Sequence, residues 1–214
     1  MGKRIIELLR EIIDEFLDII YPPTTKCISC DNEVIGLCPI CKSKIMRVRE
    51  ESKILSYGYY SGVMKKLILE FKYNKNFLAG NILADYLCEL ISENNIKADA
   101  IFFIPSSKKA LKDRGFNQCE FMAQKISRRL NKPIYRDLIK VKNIKEQKTL
   151  SREDRLKNIE GAFDVKSDKN IKDKNIILID DVITTGATLL ECEKLLKKSG
   201  ANSIKILTVA KSYI

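Results

Sequence analysis

The stretch that decides the fold is KNIILIDDVITTGATLLECEKLL, residues 174–196. Ile176, Ile177, Leu178 and Ile179 form an apolar, β-branched-rich run, the pattern of a strand buried on both faces of a parallel sheet. Two acids follow, Asp180 and Asp181. Then come Thr184, Thr185, Gly186, Ala187 and Thr188, all small, and beyond them Leu189, Leu190, Leu195 and Leu196 fall on one side of a helix. In such sheets ligands sit at the carboxyl ends of the strands. A loop of small residues entering a helix presents successive backbone N–H groups to an anion, and Gly186 lets the main chain come close to it. The combination reads as a clamp for ribose 5-phosphate: phosphate in the loop, and the two carboxylates toward the sugar hydroxyls or a bridging Mg²⁺. The bland reading is a helix merely capped by Thr184 or Thr185. Paired acids after four apolar residues, followed by five small ones, weigh against it. Neither G-x-x-x-x-G-K-[ST] nor G-x-G-x-x-G occurs, so the Walker and dinucleotide fingerprints are excluded.

Outward from this unit, strand-like and helix-like segments alternate. ILSYGYY reads as a strand, and SGVMKKLILEFKYNKNFLAGNILADYLCELI as two helices parted near residues 74–76. ADAIFFIP is a buried strand ending at Pro105, SSKKALKDRGFNQ a basic loop, and CEFMAQKISRRL a helix. IYRDLIKV and GAFDV are strand-like, and SIKILTVA is a final strand after Gly200. This alternation predicts an α/β fold, a mostly parallel sheet covered by helices on both faces, over residues 51–214.

Residues 1–50 are expected to form a separate small lobe. CISCDNEVIGLCPIC carries Cys27, Cys30, Cys38 and Cys41 in a C-x2-C-x7-C-x2-C pattern. Two such turns present four thiolates to one tetrahedral Zn²⁺, a closed structural site; the rival is a disulfide framework, which needs an oxidising compartment. Cys88, Cys119 and Cys192 sit in apolar helical contexts and read as buried small hydrophobes. Ahead of the cysteines, Ile5, Ile6, Leu8, Leu9, Ile12, Ile13, Phe16 and Leu17 recur at helical spacing among acids and bases. That predicts an amphipathic helix on the body, stopped by Pro22 and Pro23, rather than a membrane span or a secretory leader. A cytoplasmic protein is expected.

The chain has 214 residues, a formal net charge of +11 and no histidine. Lacking His, it has no Ser-His-Asp triad and no His-bearing catalytic zinc site. The basic balance fits a phosphate or nucleic-acid partner, or else solvated lysine faces. Residues 125–155 hold eleven Lys or Arg against four Asp or Glu, but Tyr135 is their only aromatic, which is poor support for a base-stacking platform.

ILIDDVITTGAT resembles the signature of type I phosphoribosyltransferases for 5-phosphoribosyl 1-diphosphate (PRPP). From Tyr21 onward, CISC…CPIC, GVMKKLILEFKYNKN, IPSSKKALKDRGFNQ, QKTLSREDRLKNIEGAF and IILIDDVITTGAT stand in the order seen in the ComF/GntX group of competence-associated proteins. The resemblance implies that Asp180 and Asp181 meet the ribose hydroxyls and that Thr184, Thr185, Gly186, Ala187 and Thr188 hold the 5-phosphate. It places Ser107, Lys108 and Lys109 in the pyrophosphate loop, with Arg114 and Asn117 ordering that side. Lys142, Lys148 and Arg152 would lie in a hood that closes over the diphosphate, the alternative being an ordinary surface loop. Lys108 and Arg114 join the acid pair as catalytic candidates; for the lysines, solvated charge is the competing reading. The reaction implied is displacement at the anomeric carbon as pyrophosphate leaves with Mg²⁺, a chemistry of positioning and charge neutralisation that requires no His. Two departures stand out. Thr184 occupies the place where transferases for 6-oxopurines carry an acid as general base, which disfavours hypoxanthine or guanine. Ser107 stands in IPSSKK, where many chains of the group have a His after the proline.

Three functions follow from these residues: a phosphoribosyltransferase on an unidentified acceptor, linked to DNA uptake or nucleotide metabolism; a PRPP-fold protein serving DNA uptake without turnover; or a single-stranded nucleic-acid or protein-binding module. Competence-machinery proteins and a second copy of the chain are the partners expected besides PRPP.

Overall fold

The computed structural model describes residues 25–49, 53–142 and 159–213. Within them lie α1 (Pro39–Ser43), β1 (Ile54–Tyr59), α2 (Gly62–Tyr73), α3 (Phe77–Glu93), β2 (Ala100–Phe103), α4 (Lys108–Arg114) and α5 (Gln118–Leu130). They continue through β3 (Leu138–Lys140), β4 (Phe163–Val165), β5 (Asn175–Ile183), α6 (Ala187–Lys198) and β6 (Ser203–Lys211). The opening amphipathic segment and two hood candidates, Lys148 and Arg152, lie outside the described residues.

Four strands form one all-parallel sheet in the order β1-β6-β5-β2. Parallel pairing needs crossovers, and these put helices on both faces. The alternation along β5 shows this directly. Ile177 and Ile179 pack into the core with α2, α3 and α5, whereas Ile176 and Leu178 pack with Leu189, Cys192 and Leu196 of α6. All four are buried. The acid pair therefore comes where this doubly covered run stops. One polar row crosses the sheet at that level: Ser56 stands opposite Thr208, and Thr208 opposite Asp180. The Ser56 and Thr208 hydroxyls are 2.7 Å apart, so both buried side chains are satisfied.

Three segments differ from expectation. The supposed basic loop after Pro105 contains helix α4, opened by Ser107, whose Oγ accepts the Ala110 N–H at 3.1 Å, and closed by Gly115 at φ +84°. The strand-like run at residues 134–141 splits. Ile134 makes a single parallel bridge to Ile101, and only Leu138–Lys140 forms a strand, pairing antiparallel with β4 in a separate two-stranded ribbon. GAFDV therefore belongs to that ribbon and not to the main sheet.

The cysteine lobe is stitched to the body. Met46 and Val48 pair with β1 through the Tyr59 N–H to Met46 O and Val48 N–H to Tyr57 O bonds. Arg47 lies 3.9 Å from the centre of the Tyr57 ring and forms ion pairs with Glu89 and Glu93 of α3. Among the described residues no helix is long and apolar enough to cross a membrane.

Candidate functional site

The ends of β5 and β2 bring two loops side by side. Phe103 is paired with Ile179, and the Ile104 N–H donates to the Ile179 carbonyl at 2.9 Å, so the chain leaving at Pro105 starts beside Asp180. That segment carries Ser107, Lys108 and Lys109. Ser107 is committed to capping α4, and both lysines are exposed on its first turn. Arg114 donates to Gln118 Oε1 at 3.2 Å and stacks over Tyr73 at 5.5 Å. Asn117 is buried: its Nδ2 donates to the Ile104 carbonyl, and its Oδ1 caps α5 by accepting the N–H groups of Cys119 and Glu120. The RGFNQ segment thus orders the β2 loop and the start of α5. Lys142 lies at the foot of the β3–β4 ribbon, with its Nζ 3.2 Å from where a Cβ on Gly161 would stand.

On the β5 side, residues 184–188 turn from strand to helix. Gly186, at φ +76°, caps α6 in a left-handed conformation that side chains resist. The Ala187 N–H reaches the Thr185 hydroxyl only at 3.5 Å. The first four N–H groups of a helix have no partner within it, so this entrance offers an anion several donors at the positive end of the helix dipole. Thr184 is exposed beside it.

The two acids are held differently. Asp180 Oδ1 accepts the Asp181 N–H at 2.8 Å and the Cys119 thiol at 3.4 Å. Burial, and then the Asp181 carboxylate, push the Asp180 carboxyl up to about 7. Asp181 shares the alternation of Ile177 and Ile179, so it faces α2. There its Oδ2 meets Lys72 Nζ at 2.6 Å, both side chains being about five-sixths covered (16% and 17% exposed). Burial pulls the Lys72 pKa down, but the attraction of Asp181 outweighs it and leaves the ammonium above its ordinary value.

Sequence reasoning missed Lys72 and the reach of Cys119. Lys72 had a readable signal: it follows buried Phe71 and stands four residues after buried Ile68, where the apolar stripe of α2 would otherwise continue. Cys119 is buried as expected, and it also touches the acid pair.

The cysteine lobe converges independently. The Sγ atoms of Cys27, Cys30, Cys38 and Cys41 all lie within 4.8 Å of one another, with Cys30 and Cys38 3.6 Å apart. Zinc–sulfur bonds of about 2.3 Å in a tetrahedron require sulfurs about 3.8 Å apart, so the spacing fits. Backbone N–H groups of Cys38 and Cys41 point at the sulfurs of Cys27 and Cys38. Burial acts to raise the Cys27 thiol, but N–H groups of Cys38, Ser29 and Cys30 outweigh it and bring it down to about 6. Every cysteine is free. Four thiols this close cannot all ionise without a cation among them, and a metal ion such as zinc fits the set.

The phosphoribosyl transferase domain model matches residues 117–212. Competence protein F of Haemophilus influenzae is 31% identical over 193 residues, covering 87% of this chain and 84% of its own. This chain belongs to the competence protein F family. Competence protein ComFC of Bacillus subtilis is 29% identical and covers 92% of this chain and 88% of its own. Among solved structures, the glutamine PRPP amidotransferase of B. subtilis aligns at a TM-score of 0.46 and 16% identity, over 65% of this chain and 30% of that one. The segment matched by the phosphoribosyl transferase domain model holds β5 and β6 of the parallel sheet with α6 between them, and the four-cysteine cluster lies ahead of it in the chain.

Proposed function

We propose that this competence protein F homologue binds PRPP at the carboxyl end of β5 and is built for pentosyl transfer from it. The observation that carries the reading is the union of two recognition elements at one strand end: a carboxylate pair, and a helix entrance opened by a left-handed glycine. The 5-phosphate would lie on the N–H groups around residues 184–188, and the carboxylates would accept from the ribose hydroxyls. Lys108 and Lys109, exposed on the first turn of α4 beyond the neighbouring strand end, would meet the diphosphate, with Lys142 approaching from the ribbon. Magnesium would arrive on the diphosphate and neutralise the leaving group. The protein's part in the reaction is to hold the sugar and to match charge as the anomeric bond breaks. Zinc, held by Cys27, Cys30, Cys38 and Cys41, would fix the lobe and take no part in the transfer.

The names of the relatives tie the family to competence, and DNA uptake is the process this protein would serve. A single-stranded nucleic acid would meet the basic stretch at residues 125–155, and its phosphates rather than its bases would be recognised. Titration calorimetry with PRPP and Mg²⁺ tests the site. Binding is expected for the wild type, and a loss of at least about tenfold for Asp181→Asn, the equivalent of ~1.4 kcal/mol. Equal affinity of the two proteins would refute the clamp. Release of pyrophosphate on adding candidate acceptors separates transfer from binding alone.

A further inference from the structure

The reading of the acid pair as the sugar's acceptors leaves Lys72 unexplained. A lysine about five-sixths covered is expensive to place in a fold, because its charge must leave water. The partner that compensates for this is not a spare carboxylate but Asp181 itself, 2.6 Å away, in the pair the ligand needs. A purely architectural ion pair has no reason to stand there. At the same place Cys119 Sγ and one oxygen each of Asp180 and Asp181 lie within 4.8 Å of one another, the spacing of ligands around a divalent cation. Two carboxylates and a thiol at that distance, without a fixed positive charge, would collect such a cation from the cell.

We infer that Lys72 is the built-in counter-cation of the acid pair: it positions Asp181 as an acceptor for the sugar and keeps a free divalent cation from settling on the two carboxylates. The lysine is well suited to this. Its ammonium is a compact point charge with three donors, of which Asp181 takes one, so Asp181 keeps its remaining lone pairs for hydroxyl groups. Its helix fixes it: Phe71, the preceding residue, is buried among Phe77, Phe116 and Phe121, with ring centres 5.1–6.3 Å away. The positive charge does not depend on loop closure or on a bound ligand. Magnesium is then admitted only where the ligand's own diphosphate brings it, and the sugar hydroxyls meet carboxylates that no metal occupies. Lys72 acts through Asp181 and is a positioning residue.

This inference rests on the proposed PRPP site, and the test separates the two. Zinc-loaded wild type, Lys72→Met and Lys72→Arg are titrated with Mn²⁺ alone, followed by electron paramagnetic resonance, and separately with ribose 5-phosphate in buffer freed of Mg²⁺ and Mn²⁺ without chelator. Circular dichroism and thermal melting confirm that each is folded. Lys72→Met is expected to gain one Mn²⁺ site that wild type and Lys72→Arg lack, and Asp181→Asn placed in the Lys72→Met background should abolish it. Ribose 5-phosphate, which carries no diphosphate, should bind Lys72→Met about tenfold more weakly than wild type, with Lys72→Arg recovering most of the loss. Mn²⁺ binding by wild type at the acid pair, or a folded Lys72→Met that gains no site, overturns the role given to Lys72. Absence of ribose 5-phosphate binding to wild type overturns the clamp instead, whatever the Mn²⁺ result.

Discussion

Asp180 shows how one residue links the fold to the pH at which it works. In the unfolded chain an Asp titrates near 4, and in the fold burial and the Asp181 charge move it to about 7. Between those values the native state holds the proton and the unfolded state does not. The contribution of Asp180 to stability therefore falls as pH rises from about 4 to about 7 and is level above that. Asp180→Asn keeps the oxygen that accepts the Asp181 N–H but removes the charge. Urea unfolding should show the variant gaining on the wild type as pH is raised from 5 to 8; a difference independent of pH would contradict the assignment. Both acids were plain in the sequence, standing after a four-residue apolar run, and so was the glycine. Lys72 was harder to find. Its place on the apolar stripe of α2 was the one hint, and a lysine there still reads as solvated charge until its partner, more than a hundred residues away, is in place.

At the scale of elements, the aromatic cluster at the ends of α2 and α5 holds the Lys72 side of the site. Gly80 on α3 is the close approach that makes it possible: a Cβ there would lie 2.6 Å from Phe71 Cε2 and 2.9 Å from Phe121 Cε1. Gly→Ala within a helix ordinarily stabilises by about 1 kcal/mol. Overpacking of rings held on several sides costs about 1–3 kcal/mol, and three contacts under 3 Å let it win here. Gly80→Ala is expected to lower stability by roughly 1–2 kcal/mol in denaturant titration; a gain would show that the rings are free to yield. The cysteine lobe makes the second prediction at this scale. Its loop leaves Val34, Ile35 and Ile40 exposed and buries little apolar side chain besides Ile28, so a metal on the four sulfurs is expected to contribute much of its stability. Stripping metal with a strong chelator should open residues 25–45 to limited proteolysis while the β1–β6 body resists. Equal protection with and without chelator would mean that packing on α2 and α3 suffices. The spacing of the four cysteines made this lobe legible. Helix α4 was not, because its apolar content is low and its evidence is confined to the caps, Ser107 and Gly115.

For the whole molecule, the sequence order of buried strands and amphipathic helices was enough to anticipate a parallel sheet covered on both faces, since a short β-branched run such as residues 176–179, ended by two acids, suits a doubly covered strand. It did not foretell which strands neighbour one another. Pairing of β5 with β2 and β6 depends on crossover geometry, and the separate β3–β4 ribbon depends on contacts that three-residue strands do not announce. That order matters to the proposed site, since it is the adjacency of β2 and β5 that starts the segment leading into α4 at the strand end where the acid pair stands. Co-crystallisation with PRPP and Mg²⁺ tests this arrangement most directly. The account predicts a 5-phosphate within hydrogen-bonding distance of the main-chain N–H groups at residues 184–188, ribose hydroxyls on Asp180 and Asp181, and diphosphate turned toward Lys108 and Lys109. A ligand bound elsewhere, or a site at the end of β5 that stays unliganded at saturating PRPP, would contradict it.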